Sequence, residues 1–471
     1  MSDIARTKQV GIVGGGIAGL TAAYELQKAR GSGFPVTWQL LEASGRLGGI
    51  VETHQQDGFT VECGPDGWLS EKPAARALAM ELGLGSELIP SLDSARRTYL
   101  LHDGQLTPIP DGMRLMVPTD LDAVDRSTLF SAEAKSAFRL EPLRAEALRA
   151  GVPSADESIS SFVRRHFGEE VLQKVGAPLL SGIFGGDPAT LSVRAVMPLL
   201  VALEREFGSL VTALSRPIPT RDPGSTLFTS LRRGVGSLVG AVIERLPPDC
   251  VRMFAAAHRI HRSEGGWIVE LADHELLHFD ELVLATPAHV TAKLLDPISP
   301  RAAALLPDEA SSAIIVAFGF PHAEFALPPG FGFLVPADGP HHLLACTFTE
   351  QKYPHRAPAG GRLLRAFFGG RSADALVALS EEQLSELALQ ELRTILGTLP
   401  EPAFRIVRRW PRSLPQYAVG HLERMAELFS LVSANLAGVT LLGNSYLGVG
   451  LPDLIRDARA AVHRIVSGEA F

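Results

Sequence analysis

The segment spanning residues 10–49 constrains the fold of this chain more than any other. An apolar run at residues 10–13 leads into three consecutive glycines, a helical pattern to about Ala29, and a second apolar run at Val36–Leu41. A buried strand, a glycine turn, a helix and a second strand in this order are typical of the first unit of a doubly wound α/β domain.

The glycine turn carries a nucleotide-binding pattern. The spacing of Gly14, Gly16 and Gly19 fits G-x-G-x-x-G, in which the glycines allow a tight turn, a close approach of a pyrophosphate and close packing of helix on strand. The helix that follows offers free N–H groups and a positive dipole end to phosphates. The predicted contacts along this turn are Gly14, Gly15, Gly16, Ile17, Ala18 and Gly19.

An acidic residue closes the second strand. Glu42 lies 23 residues after Gly19, close to the roughly 20 expected for the acid that binds the ribose. Its carboxylate would accept hydrogen bonds from both ribose hydroxyls and would repel a 2′-phosphate. The pattern therefore predicts FAD or NAD rather than NADP.

Composition narrows the class of protein. The chain has 471 residues, which predicts two or three domains, and its net charge of −8 argues against nucleic acid as a partner. The three cysteines are far apart and show no metal-ligand spacing, so we predict no metal and a reducing, cytoplasmic compartment. No apolar run reaches the length of about 18 residues that a membrane span needs.

The residues after Glu42 identify a family. The run Glu42-Ala43-Ser44-x-Arg46-Leu47-Gly48-Gly49 resembles the FAD signature of the flavin amine oxidase superfamily. The resemblance implies FAD as the cofactor, with Ala43 beside the ribose acid. It also implies that Arg46, Gly48 and Gly49 lie along the pyrophosphate and the ribityl chain.

Four later motifs resemble one branch of that superfamily, the oxygen-dependent protoporphyrinogen oxidases and the flavin-type coproporphyrinogen oxidases. They occupy residues 182–187, 330–336, 410–421 and 443–453. The resemblance implies oxidation of a porphyrinogen to a porphyrin in haem biosynthesis. Six electrons leave in three steps, a flavin accepts a hydride each time, and dioxygen re-oxidises it with formation of hydrogen peroxide.

The same resemblance assigns site residues. On the substrate side it implies a flat approach over Gly182 and Gly185, walls formed by Phe331, Leu334 and Phe367, and a propionate partner in Arg97. On the cofactor side it adds Gly64, Pro65, Asp66, Ala257, Gly443, Val449, Gly450 and Leu451. We expect His421 to form structural hydrogen bonds rather than to act as a base, because a hydride acceptor requires no histidine.

Several alternatives stay open at this point. Coproporphyrinogen keeps four carboxylates and protoporphyrinogen two; the sequence leaves the choice undecided, with a slight preference for protoporphyrinogen. A flavin amine oxidase or a carotenoid desaturase shares the FAD signature. A non-catalytic binding protein similar to the GDP-dissociation inhibitors would use the same fold without an intact flavin site.

The order of segments predicts an FAD-binding Rossmann-like domain, a mixed α+β substrate domain and a helical insertion. The FAD domain is expected at residues 1–90, 225–290 and 435–471, the substrate domain at 91–120 and 291–424, and the insertion at 121–207. By resemblance, the insertion can touch the inner face of a membrane peripherally, and another haem-pathway enzyme can be a partner. The sequence does not indicate an oligomeric state.

Overall fold

Three separate stretches of the chain build one parallel sheet in the computed structural model, which describes residues 6–216, 226–322, 324–337 and 339–468. In spatial order its strands are Val251–Arg252, Val36–Leu41, Lys8–Val13, Glu281–Leu284 and Val439–Leu441. Each neighbouring pair is parallel. The carboxyl ends of all five strands therefore meet at one edge, and we call this sheet the cofactor sheet.

Both faces of the cofactor sheet are covered, as its nearly continuous apolar strands require. On one face the first helix, Ile17–Gly31, packs against the last helix, Leu451–Ser467, which also contacts the helix Pro73–Glu81. On the other face lies an antiparallel sheet of Ala257–Ser263, Gly266–Leu271 and Leu276–Phe279, with helices beyond it. This arrangement confirms the doubly wound α/β class.

A second large sheet, the substrate sheet, has seven strands. In order they are Phe404–Pro415, Ala310–Phe320, Arg362–Gly369, Ala345–Phe348, Gly332–Leu334, Thr98–His102 and Gln105–Pro108. One pairing, Gly332–Leu334 with Thr98–His102, is parallel and the others are antiparallel. The helix Glu381–Leu396 packs on this sheet, and a capping box between Ser380 and Gln383 is present at its start.

The helical insertion has its own apolar core. Its helices are Leu121–Arg126, Ala132–Leu140, Ala145–Ala150, Ile159–Phe167, Glu169–Val171, Leu172–Gly176 (a π turn), Ala177–Phe184, Val193–Val196, Pro198–Phe207 and Leu210–Ser215. Across the described ranges, we find no helix with the length and apolar character to span a membrane. The borders between the domains stay a prediction.

The remaining elements are short. Two hairpins pair Thr53–Gln56 with Phe59–Glu62 and Met113–Arg114 with Val117–Pro118, and a small sheet joins Trp68–Leu69, Phe228–Leu231 and Leu88–Pro90. The other α-helices are Gly236–Ile243, Ala288–Leu295, Pro300–Leu305, Thr349–Lys352, Gly370–Leu376 and His421–Asn435. Single 3₁₀ turns occur at Gly85–Glu87, Asp93–Ala95, Pro142–Arg144, Pro248–Cys250 and Pro354–Arg356.

A buried histidine ties the insertion together. His166 lies between two buried carboxylates, with Nδ1 2.9 Å from Glu141 and Nε2 3.0 Å from Glu204. Glu141 also accepts from the Ser209 hydroxyl at 2.5 Å and from the Leu210 N–H at 2.7 Å, so it caps the start of the helix Leu210–Ser215. The imidazole donates on both sides only when it is protonated.

These contacts make the stability of the insertion depend on pH. Burial alone lowers the pKa of His166, but hydrogen bonds to Glu141 and Glu204 outweigh it, and the pKa is raised. A raised folded pKa contributes stability that is present below the unfolded value of about 6.5 and is lost as the pH rises through the folded value.

We therefore predict that the melting temperature falls as the pH is raised from about 6 to about 9, and that His166→Gln removes most of this fall. At about pH 6 the variant should be destabilised by about 3–5 kcal/mol, since it leaves the buried carboxylate of Glu141 without its cation, whereas Glu204 keeps Arg165. The control is His258→Gln, because His258 is exposed. An equally steep pH dependence in His166→Gln would contradict the assignment.

Candidate cofactor and active site

A cavity of about 620 Å³ opens at the carboxyl edge of the cofactor sheet, which is where ligands bind in open α/β sheets. Of the predicted cofactor residues, its wall contains Gly14, Gly15, Gly16, Ile17, Ala18, Glu42, Ala43, Arg46, Gly48, Gly49, Ala257 and Gly443. The volume is within the range of roughly 300–1,000 Å³ that is usual for ligand sites.

The glycine turn aims the first helix at this cavity. A Cβ at Gly19 would lie 1.9 Å from the carbonyl oxygen of Gly14, so the helix sits directly on the turn. No side chain caps the helix at Gly16, where an added Cβ would meet no atom within 4 Å. Ile17 and Ala18 of the first turn line the cavity. The helix start thus presents N–H groups and open space to a pyrophosphate.

The ribose acid is held in a fixed position. Glu42 follows the strand Val36–Leu41, and its Oε2 accepts from the Gly15 N–H at 2.7 Å. Its Oε1 accepts from the N–H and the hydroxyl of Ser44 at 2.8 and 2.7 Å. Oε1 already accepts two hydrogen bonds, but Oε2 has one further lone pair, so the group can still accept from a ribose hydroxyl.

Arg46 fixes the second glycine loop. Its Nη1 donates to the carbonyl oxygens of Leu47 and Val51 at 3.1 Å, and its Nη2 donates to the carbonyl oxygen of Gly49. The guanidinium also lies 5.6 Å from the ring centre of Trp410. The geometry thus gives Arg46 a role in shaping the loop that lines the cavity.

Seven predicted cofactor residues are not on the wall of this cavity. They are Gly19, Gly64, Pro65, Asp66, Val449, Gly450 and Leu451. Gly450 and Leu451 begin the last helix, and Leu454, one turn further, lines the cavity. The side chain of Asp66 points elsewhere, into an ion pair with Lys352 at 2.9 Å. Cofactor contacts of these seven residues stay a prediction.

Four of the predicted substrate residues come from elements that pack against one another at the substrate sheet. The helix Ala177–Phe184 packs against the strands Gly332–Leu334 and Arg362–Gly369. A Cβ at Gly182 would lie 3.2 Å from Leu334, and one at Gly185 would lie 3.4 Å from the Gly370 nitrogen. The structure therefore brings these two glycines to the strands that carry Leu334 and Phe367.

The three predicted wall residues differ in exposure. Leu334 and Phe367 are half-buried, whereas Phe331 is buried with 9% of its surface exposed. The backbone N–H of Phe331 donates to the carbonyl oxygen of Arg97 at 2.8 Å. The side chain of Arg97 is 45% exposed and has Asp111 at 4.0 Å.

His421 has the environment of a structural residue. It is fully buried, its Nε2 lies 2.6 Å from the carbonyl oxygen of Tyr446, and its ring stacks on Tyr417 at 4.0 Å. Burial lowers its pKa. A neutral imidazole that donates to a carbonyl fits the structural role that the sequence predicts.

One group of side chains has the spacing of metal ligands within the described ranges. Donor atoms of Glu52, His54 and Cys63 lie within 4.8 Å of one another. Arg408 already donates to Glu52 at 2.9 Å and contacts His54 at 2.7 Å, and burial raises the pKa of the Cys63 thiol to about 11. A guanidinium between the ligands and a protonated thiol disfavour a cation here.

Sequence reasoning missed several wall residues. They include Ser44, Ile50, Ala255, Ala256, Ala285, Thr286, Pro287, Trp410, Pro411, Arg412, Ser413, Asn444 and Ser445. Thr286 follows the strand Glu281–Leu284, and the rule that ligands bind at the carboxyl ends of parallel strands could have identified it. Arg412 and Ser413 reach the wall through an irregular pairing of distant strands, for which the sequence carries no local signal.

Comparisons with known proteins agree with this site. The family model described as flavin containing amine oxidoreductase matches residues 17–466. The coproporphyrinogen III oxidase of Bacillus subtilis is 32% identical over 464 residues, which is 97% of each chain. The chloroplastic protoporphyrinogen oxidase 1 of spinach (Spinacia oleracea) is 30% identical over 484 residues, covering 97% of this chain and 83% of that one.

A solved structure is similar over the same length. The crystal structure of a protein of Exiguobacterium sp. 255-15, provisionally assigned as a protoporphyrinogen oxidase, superposes with a TM-score of 0.85 at 33% identity. The match covers 98% of this chain and 99% of that one.

Gly16 provides a test of the cofactor cavity. Gly16→Val should leave the fold intact, because an added Cβ meets no protein atom within 4 Å and the backbone has ordinary angles, φ −71° and ψ 177°. The valine would fill the space of the pyrophosphate, so we expect a folded, colourless protein. The measurement is the ratio of flavin to protein absorbance after purification, together with far-ultraviolet circular dichroism.

The matched control for this variant is Gly31→Val. Gly31 lies at the other end of the same helix, and an added Cβ there also meets nothing within 4 Å. This variant should remain yellow. Full flavin content in Gly16→Val would show that the cofactor does not lie over the start of the first helix.

Proposed function

The chain belongs to the flavin containing amine oxidoreductase family, and we propose that it oxidises coproporphyrinogen III to the porphyrin in haem biosynthesis. The chain is an oxidoreductase and its cofactor is FAD. The observation that carries the proposal is similarity over 97% of both chains to a coproporphyrinogen III oxidase. The similarity extends through the substrate sheet and the insertion, which lie outside the shared nucleotide-binding unit.

The cavity residues fit FAD. Glu42 would hold the adenosine ribose, and the N–H groups at Ile17 and Ala18 would hold the pyrophosphate. The ring would then lie at the opposite end of the cavity, beside Ile50 and Trp410. Bound FAD supplies a hydride acceptor that dioxygen can restore, with hydrogen peroxide as the product.

The protein's part in the reaction is to bind and orient a large, flat, apolar ring. Gly182 and Gly185 have no side chain to hold the ring away, and half-buried Leu334 and Phe367 offer apolar surface beside them. Burying apolar ring surface contributes about 25 cal/mol per Å². A hydride acceptor needs a close, face-on approach and no general base, so these apolar residues are sufficient for the role.

The charge of the substrate is the remaining question. Six further basic residues that could be considered for propionate binding all have carboxylate partners within the chain: Lys72, Lys352, Arg356, Arg362, Arg365 and Arg408. The number of these basic residues therefore does not indicate how many propionates the substrate carries. Coproporphyrinogen is favoured over the protoporphyrinogen preferred slightly from the sequence, because the relative matched at 32% carries the former name.

Peripheral membrane contact and a haem-pathway partner stay predictions of the resemblance. On the insertion, Leu140, Leu143 and Leu199 are exposed, at 50%, 80% and 63% of their surface. These side chains are the ones that contact with a membrane surface would bury.

The proposed activity is tested by mixing the purified yellow protein with each porphyrinogen in the absence of oxygen. We expect the oxidised flavin absorbance to bleach rapidly with coproporphyrinogen III and more slowly with protoporphyrinogen IX. The reverse order would assign the protein to protoporphyrinogen. Bleaching by amines or carotenoid precursors alone would overturn the proposal, and a colourless, folded protein would support a non-catalytic binding protein.

Arg97 should contribute to binding rather than to hydride transfer. It is the half-exposed cation beside Phe331, and Asp111 at 4.0 Å is a weak partner. Arg97→Gln should raise KM for coproporphyrinogen about threefold to tenfold and leave kcat nearly unchanged, as expected for loss of one charge-assisted hydrogen bond.

The control for Arg97 is Arg233→Gln, because Arg233 is also an exposed cation with a weak partner, Glu87 at 3.7 Å. It lies outside the substrate sheet, so its KM should equal that of the unaltered protein. An unchanged KM in Arg97→Gln would remove Arg97 from the substrate site.

A further inference from the structure

A buried group of charges lies behind the wall of the cofactor cavity. It contains three cations, Lys352, Arg356 and Arg365, and two carboxylates, Glu62 and Asp66, and we call it the wall cluster. Lys352 pairs with Asp66 at 2.9 Å, Arg356 pairs with Glu62 at 2.9 Å, and Arg365 reaches Asp66 at 3.4 Å. The side chains of Arg356 and Glu62 are fully buried, and that of Arg365 is 2% exposed.

The wall cluster has an excess of at least one positive charge. The cations outnumber the carboxylates, and burial raises the pKa of Glu62, which can only increase the excess. Burial raises the pKa of Asp66 too, but Lys352 and Arg365 outweigh it, so its pKa is lowered and it is ionised. The neighbouring acid Glu350 faces its own cation, Arg362 at 3.7 Å.

The other nearby groups add no negative charge. Burial raises the pKa of the Tyr353 phenol, which therefore stays neutral. On the far side of Cys63, Glu52 pairs with Arg408 at 2.9 Å and has Arg46 at 3.8 Å. That second group also has one more cation than carboxylates.

The wall cluster is one backbone layer away from the cavity. Arg365 donates from Nη2 to the carbonyl oxygen of Gly64 at 2.6 Å. A Cβ at Gly64 would lie 1.8 Å from the carbonyl oxygen of Ile50, which lines the cavity. The carbonyl oxygen of the preceding residue, Cys63, accepts from Trp410, which also lines the cavity.

This part of the wall would face the ring when the ribose lies at Glu42 and the pyrophosphate at the glycine turn. Glu42 accepts from Gly15 of that turn. Gly49 packs against the turn at Gly16, and Ile50 follows Gly49 in the cavity wall. We propose that the wall cluster stabilises the negative charge that the flavin ring gains when a hydride or another nucleophile adds to it. This proposal rests on FAD being the cofactor, as in the proposed function.

The electron balance explains the need for such a charge. With FAD bound, hydride transfer would break the substrate C–H bond, and the hydrogen with both electrons of that bond would pass to the ring, which would gain one negative charge. The substrate is oxidised by two electrons. A buried cation is screened less than one in water, so it favours the charged product and the transition state that leads to it.

Direct propionate binding is disfavoured for the wall cluster. Arg356 and Arg365 are almost without solvent exposure. Lys352 is 12% exposed on its side chain and lies against Asp66 and the ring of Phe228. A carboxylate from outside would have to displace Asp66 from its partners in a site that water hardly reaches.

Sulfite tests the wall cluster without any porphyrinogen. Its sulfur lone pair forms a bond to the ring, no electron leaves, and the adduct carries the added negative charge. Lys352→Met removes one cation, and Asp66→Asn removes one carboxylate with little change of shape. We expect sulfite Kd to rise about threefold to tenfold in Lys352→Met and to fall by a similar factor in Asp66→Asn, as for a unit charge roughly 10–20 Å away.

The double variant distinguishes an effect of net charge from an effect of structural disruption. Lys352→Met with Asp66→Asn restores the net charge, so its sulfite Kd should return close to that of the unaltered protein. The reduction potential, measured against a redox dye, should fall in Lys352→Met and rise in Asp66→Asn. Lys352→Gln, which keeps a donor for Asp66, repeats the test if the methionine variant loses FAD.

The control for these variants is Lys8→Met. Lys8 pairs with Glu281 at 2.6 Å in the cofactor sheet, at the end away from the cavity. Its sulfite Kd and its potential should be unchanged. Shifts of the same sign in Lys352→Met and Asp66→Asn, or no shift in either, would overturn the proposal.

These measurements distinguish failure of this inference from failure of the proposed function. A protein whose potential follows the charge but whose flavin is not bleached by porphyrinogens would retain the wall cluster and lose the substrate assignment. Altered porphyrinogen KM with unaltered sulfite Kd and potential would instead place the cluster in substrate binding and overturn this inference.

Discussion

The close contact between the first helix and the glycine turn is the constraint on which the cofactor site depends. A side chain at Gly19 would overlap the carbonyl oxygen of Gly14, so the helix reaches its position only with glycine there. Gly14 itself has a φ of 109° and must bend the chain sharply after the first strand. With helix and strand locked together, the free N–H groups of the helix and the carboxylate of Glu42 face the same cavity.

The other strands of the cofactor sheet bring further loops to the same cavity. The strands Glu281–Leu284 and Val439–Leu441 join the first strand in parallel, so the loops after them end at the same edge. Thr286 and Gly443 arrive at the cavity for that reason. The long chain segments between these strands form the substrate sheet and the insertion. They add no strand to the cofactor sheet between its parallel neighbours.

Local signals in the sequence were sufficient for the parts that form locally. The nucleotide unit, the capping box at Ser380 and the last helix are each encoded within one short segment, and the structure contains all three. The wall at Arg412 is different. The pairing of the strands Ala310–Phe320 and Phe404–Pro415 changes register between Ser311 and Ala313. Arg412 adopts a φ of 48°. Such an irregularity depends on residues about one hundred positions apart, so no local pattern reveals it.

The role of Asp66 likewise depends on residues that are distant in the sequence. The sequence indicates only an acid in a turn, whereas its partners Lys352 and Arg365 come from the helix Thr349–Lys352 and the strand Arg362–Gly369, far away in the chain. The cavity wall is largely glycine, alanine and proline, and its charged residues are Glu42, Arg46 and Arg412. The nearby His421 is buried against a carbonyl, and the Cys63 thiol has a raised pKa, so neither supplies an ionised base or nucleophile. A site built in this way can influence hydride transfer mainly by position and by the fixed charges behind its wall.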